Sequence, residues 1–83
     1  MSWILELKEE EIDGMIKLKE QYAKEVMMLE NNRGIANHMV PMERRVAIAM
    51  LKENIAQLNK DIMSAEEECH KLRVMEQAIE KAE

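Results

Sequence analysis

The residues best able to do chemistry in this sequence are one cysteine and two histidines, and two of these three are neighbours. Cys69 directly precedes His70. Neighbouring residues of a helix point about 100° apart, so the pair is poorly arranged as a nucleophile and its base. Cys69 also falls on an apolar row, where a free cysteine behaves as a small hydrophobic residue. We therefore predict no catalytic residues and no enzymatic activity.

One spacing is typical of a metal site. Glu67 and His70 form the Glu-x-x-His pattern that di-iron helical bundles use. Such a site also needs an inward-facing carboxylate from each facing helix, and the matching row of the first half of the chain is apolar, as Ile12 and Met15 illustrate. A solvated His70 beside an outward Glu67 is the alternative, and the sequence favours it. We predict no metal ion and no cofactor.

The composition predicts long helices. Of the 83 residues, 47% are apolar and 35% are charged, with only two glycines and one proline, so turn formers are too scarce for an all-β or α/β fold. A chain of this length buries only about 60–65% of its unfolded surface, which makes it marginal when folded alone. We expect a partner, and a second copy of the chain is the simplest one.

Turn signals divide the chain, a single domain over 1–83, into two helices and one joint. The first helix is predicted over 2–33, where Gly34 closes it because glycine readily takes the left-handed conformation. The second is predicted over 41–82, because Pro41 suits the first turn of a helix. The joint over 34–40 is short, so the two helices are predicted to run antiparallel, with the second longer.

The second helix carries more apolar surface than one neighbour can cover. Its main row has the alternating three- and four-residue steps of a coiled coil, and Ala49, Ala56 and Met63 add a column beside it. A face this wide indicates a homodimeric four-helix bundle. The predicted oligomer interface consists of Ile55, Leu58, Ile62, Leu72, Met75 and Ile79.

The antiparallel register gathers carboxylates far from the joint. This acidic patch consists of Glu9, Glu10, Glu11, Asp13, Glu66, Glu67 and Glu68. A solvated face partly neutralised by lysines is one interpretation. The other is a surface that docks on a basic partner.

The joint end has the opposite character. The predicted binding tip consists of Arg33, Ile35, His38, Met39, Met42, Arg44 and Arg45. Methionines form adaptable binding surfaces, and arginine beside exposed apolar groups is typical of interface hot spots. Two alternatives remain open: the apolar residues simply plug the end of the bundle, or the arginines hold an anion at the start of the second helix.

These observations favour a small, non-enzymatic protein-binding module that acts as an adaptor, inhibitor or regulator. A net charge of −5 argues against direct nucleic-acid binding. The lone cysteine and the lack of a signal peptide or membrane span predict a cytoplasmic protein. In composition the acidic chain, with its nine methionines, resembles accessory proteins of phages and other mobile elements, including inhibitors of host defence. The alternative function is an oligomer that binds a small anion such as a nucleotide.

Overall fold

The structure, a computed structural model, describes residues 2–82 and the side chains of residues 3–34 and 37–81. Helix α1 spans Ser2–Glu30, a short 3-10 helix spans Gly34–His38, and helix α2 spans Pro41–Ala82. The two helices pack against each other, and the described residues contain no strand. The predicted helical hairpin with a longer second helix is confirmed. No helix within residues 2–82 combines the length and the apolar character needed to cross a membrane.

The first helix ends at Glu30, three residues earlier than predicted, because Asn32 and not Gly34 closes it. Asn32 has a φ of 58°, and its N–H donates to the carbonyl of Leu29 at 3.3 Å. The next amide, of Arg33, donates to the carbonyl of Met28 at 2.9 Å. This pair of bonds around a left-handed residue is the Schellman motif, in which asparagine is the usual substitute for glycine.

The second helix begins at Pro41, as predicted. The carbonyl of Val40 accepts a 3.0 Å hydrogen bond from the amide of Arg44, so Val40 flanks the helix and Pro41 is its first residue. Proline has no N–H, and its loss costs nothing at a position where that group has no partner inside the helix.

The core of the hairpin is a narrow seam between α1 and α2. Val26, Ala65 and Cys69 are its buried residues. The half-buried side chains recur on the same faces with helical spacing, and they include Lys19 and Glu76, the polar residues that interrupt the apolar rows. Four residues of the predicted oligomer interface also lie half-buried in this seam, namely Ile55, Leu58, Ile62 and Leu72, whereas Met75 and Ile79 are exposed.

Two side-chain pairs fit the expected antiparallel register, in which facing residue numbers sum to about 75–77. These are Lys8 with Glu68 and Asn32 with Arg44. On the opposite side of the hairpin, Glu9 contacts Arg73 and Glu30 contacts Lys52. These contacts lie about six residues, or roughly 9 Å, further along α2 than the facing register. The molecule is 64 Å long, which matches the length of about 63 Å expected for the 42 residues of α2.

Candidate functional site

A side-chain hydrogen bond spans the joint. Arg44 Nη1 donates to Asn32 Oδ1 at 2.6 Å, which links the residue that closes α1 to the first turn of α2. Arg44 is half-buried, in contrast to the exposed Arg33 and Arg45. Sequence reasoning placed Arg44 in the binding tip but missed its partner. The signal for that partner was the Asn-Asn pair at positions 31 and 32, because asparagine tolerates a positive φ.

Methionines cover the outside of the joint. Met27 is 62% exposed and Met42 is 73% exposed, and the neighbouring Met28 and Val40 are exposed too. The ε-methyl of Met28 lies close to Gly34, where an added Cβ would stand 3.2 Å from it. Met28 thus packs on the joint, while Met27 and Met42 remain exposed at the same end of the hairpin.

An open hollow of about 290 Å³ lies beside these methionines. Its lining consists of Lys24, Met27, Met28, Asn31 and Arg33. Two cationic side chains therefore border an apolar floor. This composition suits a ligand or partner with apolar groups next to a negative charge.

The residues of the predicted tip differ in how accessible they are. Arg33, His38, Met42 and Arg45 are exposed, and Met39 is half-buried like Arg44. The side chain of Ile35 lies outside the described ones. Met27, Met28 and Lys24 were not part of the predicted tip, although the two methionines precede the joint by one turn. The hollow shows that they belong to the same surface.

At the acidic end, cationic side chains of both helices form ion pairs with the carboxylates. Lys8 Nζ lies 2.6 Å from a carboxylate oxygen of Glu68 and 3.8 Å from one of Glu11. On the other side of the hairpin, Arg73 donates a 2.6 Å hydrogen bond to Glu9. Three of the seven predicted acidic residues are therefore paired across or along the helices. Lys8 was among the neutralising lysines expected from the sequence, whereas Arg73 was not.

The Lys8–Glu68 contact changes how both groups titrate. The hydrogen bond from Lys8, and then its positive charge, lowers the pKa of Glu68 below the ordinary value of 4.5. The same hydrogen bond and the charge of Glu68 raise the pKa of Lys8 above its ordinary 10.5. Each group thus favours the charged form of the other at neutral pH.

The remaining acidic residues stay exposed. Glu10, Asp13, Glu66 and Glu67 all point to solvent. Glu66 and Asp13 line an open hollow that Arg73 also borders. The acidic end is therefore a mixed surface in which two cations stand among the carboxylates.

The geometry brings together no catalytic pair at Cys69. Its side chain is only 4% exposed and lies in the seam, which confirms the prediction of a core cysteine, while His70 is exposed on the outside of α2. Within the part of the chain that the structure describes, no three His, Cys, Asp or Glu side chains are grouped so that they could hold a metal ion.

Comparisons with known proteins give no match to any family model, curated protein or solved structure.

Proposed function

We propose that this chain is a non-catalytic protein-binding module, and that its joint end is the surface that binds the partner. One observation carries the proposal: Met27, which is 62% exposed, and Met28, which is 48% exposed, lie beside Arg33 and Lys24 at one end of the hairpin. Exposing such side chains to water is unfavourable, and covering them with a partner recovers that free energy. Methionine also adapts its shape to the surface it meets.

The partner that fits this surface is a protein segment with apolar side chains next to acidic ones. The apolar floor of the hollow accepts the former, and Lys24 and Arg33 attract the latter. An adaptor and an inhibitor both use such contact, and the identity of the captured protein distinguishes them.

Capture from an extract of the native host tests this function. Met42→Glu replaces a side chain that is 73% exposed at the joint end, and it should abolish capture while leaving helicity and melting temperature unchanged. Met50→Glu is the matched control, because Met50 is an exposed methionine of the same helix that lies two turns further on. Equal capture by both variants would contradict the assignment of the joint end.

Binding of a small anion is the second candidate. Arg45 is exposed in the first turn of α2, where the helix dipole favours negative charge. The hydrogen bond from Arg44 to Asn32 makes this candidate weaker, since one of the three arginines of the predicted tip already has a partner. Thermal unfolding with a nucleotide panel separates the two functions: a ligand at 100 times its Kd should add about 2.7 kcal/mol of stability.

The proposal includes self-association. The hairpin exposes 6671 Å² of surface, whereas a compact monomer of this mass exposes about 5,100 Å². The excess of about 1,500 Å² exceeds the roughly 800 Å² that each partner buries in a standard interface. A homodimer with a standard interface would therefore remove about half of this excess, and a larger interface would remove more.

A further inference from the structure

One side of the hairpin is apolar in its middle, and α1 contributes a row at seven-residue spacing to it. The row runs from Glu9 through Ile16 and Ala23 to Glu30. Both end residues contact α2 through ion pairs, so the whole row lies on the side of the hairpin where these pairs are. Ile16 and Ala23 are exposed there.

Helix α2 contributes a second row to this side. Ala56 is one turn beyond Lys52, the residue that contacts Glu30, and Ala49 and Met63 lie seven residues before and after Ala56. Met63 is 65% exposed, and the two alanines are exposed too. We call the surface formed by Ile16, Ala23, Ala56 and Met63 the open face.

The opposite side of the hairpin has one exposed apolar side chain of α1 at the same height, Leu18, but its α2 residues are polar. Gln57 donates a 3.0 Å hydrogen bond to Asp61 there, and Asn54 and Ser64 are exposed on the same side of α2. An apolar partner would leave these groups without water. On α2 the open face is therefore the less polar side, and Asn59 is the exposed amide that a helix packed there has to accommodate.

We propose that a second copy of the chain packs on the open face with its helices reversed, so that the joints lie at opposite ends of a four-helix bundle. This inference rests on the self-association proposed above and specifies its surface and its sense. The twofold axis would run perpendicular to the helices, with each helix packing on its own counterpart.

The positions of the large and small residues favour this sense. On α1 the axis passes midway between Ile16 and Ala23, and each meets the other residue of the second copy. On α2 the axis passes midway between Ala56 and Met63, so Ala56 of each copy meets Met63 of the other. Each large side chain thus faces an alanine, which is how helical layers interdigitate.

A single axis satisfies both helices at once. The register is bracketed by Lys8 with Glu68 on one side and Glu9 with Arg73 on the other. The mean of these two pairings puts the two midpoints at the same height along the bundle.

The other twofold arrangement, with both joints at the same end, fits less well. It would stack Ile16 on Met63 and Ala23 on Ala56, so a layer of large side chains would follow a layer of small ones. The helices cannot at the same time be close enough for Ala23 to contact Ala56 and far enough apart to hold Ile16 and Met63. A void would therefore remain between the alanines.

Charge favours the reversed arrangement as well. Glu66 and Asp13 are exposed at the acidic end, and Arg33 and Arg45 are exposed at the joint end. Reversed copies place the acidic end of one chain beside the basic joint of the other, which is attractive. The same axis puts Glu9 of one copy opposite Glu30 of the other, and each of these carboxylates is already paired with a cation of its own chain, Arg73 and Lys52. Copies with both joints at one end would bring like charges together.

Sedimentation equilibrium of two matched variants tests the face. Met63→Lys should raise the dissociation constant of the dimer about 100-fold or more, because it puts an unpaired charge into the interface from each copy. Met50→Lys is the control, since Met50 is 60% exposed on the other side of the same helix, and it should leave the dimer intact. A dimer that survives Met63→Lys, or one that Met50→Lys dissociates, would overturn the assignment.

Disulfide cross-linking tests the sense. In a Cys69→Ala background, a mixture of Ala49→Cys and His70→Cys chains should form a mixed disulfide, because the axis brings position 49 of one copy to position 70 of the other. Neither variant alone should cross-link. A dimer without the mixed disulfide would overturn the reversed sense, and a monomer would overturn self-association too. Neither result bears on the binding of a partner protein at the joint end, which the capture experiment with Met42→Glu measures separately.

Discussion

Arg44 donates a 2.6 Å hydrogen bond to the side chain of Asn32, and this contact joins the two helices at the point where the chain turns. Asn32 performs two tasks, because its backbone also takes the left-handed conformation that ends α1. Arg44 therefore belongs to the joint as much as to the binding surface.

Three substitutions separate the two tasks of Asn32. Asn32→Ala should destabilise the fold by about 1–2 kcal/mol, because alanine strains the positive φ and the hydrogen bond is lost. Arg44→Met removes only the hydrogen bond and should cost about 0.5–1 kcal/mol. Asn32→Gly keeps the backbone conformation and should resemble Arg44→Met. Urea unfolding measures all three, and equal effects of Ala and Gly at position 32 would show that the φ value is unimportant.

Gly14 offers a stabilising substitution. It lies within α1, and an added Cβ would meet no atom within 4 Å. Gly14→Ala should therefore stabilise the protein by about 0.5–1 kcal/mol through the lower entropy of the unfolded chain. The thermal midpoint measures it. Gly34→Ala is the contrasting variant: it should destabilise, because Gly34 has a φ of 62° and Met28 stands close by. Destabilisation by Gly14→Ala would indicate that another chain approaches α1 there.

The ion pair of Lys8 with Glu68 predicts a loss of stability in acid. The pKa of Glu68 is lowered in the folded chain, so its contribution is complete above about 4.5 and is lost as the pH falls through the folded value. The raised pKa of Lys8 has the opposite consequence, a loss only as the pH rises beyond 10.5. NMR titration should find the Glu68 midpoint below 4.5, and Lys8→Met should return it to the ordinary value. Glu67→Gln is the control, since it leaves the pair intact. An unchanged midpoint in Lys8→Met would contradict the pairing.

The sequence predicted the hairpin and the start of α2 because these depend on local signals. Pro41 fixes its own φ, and the apolar rows select the faces that meet in the seam, including Cys69. The end of α1 was predicted three residues too late because both Asn32 and Gly34 have a positive φ, and residue type alone favours the glycine as the residue that closes the helix.

The candidate site was less predictable because it depends on register. Arg73 reaches Glu9 diagonally, from a position about six residues beyond the one that faces Glu9, so its role needed coordinates. The hollow that joins Lys24 to Arg33 depends in the same way on the turn geometry of the joint. Hydrophobic periodicity gives the face of a helix but not its axial position.

The measurement that tests this account most directly is sedimentation equilibrium of the unmodified chain at micromolar concentration. The exposed surface of the single hairpin predicts a species of twice the 9.7 kDa chain mass, with melting temperature rising as the protein concentration rises. A 9.7 kDa species that unfolds cooperatively at the same temperature at every concentration would contradict it.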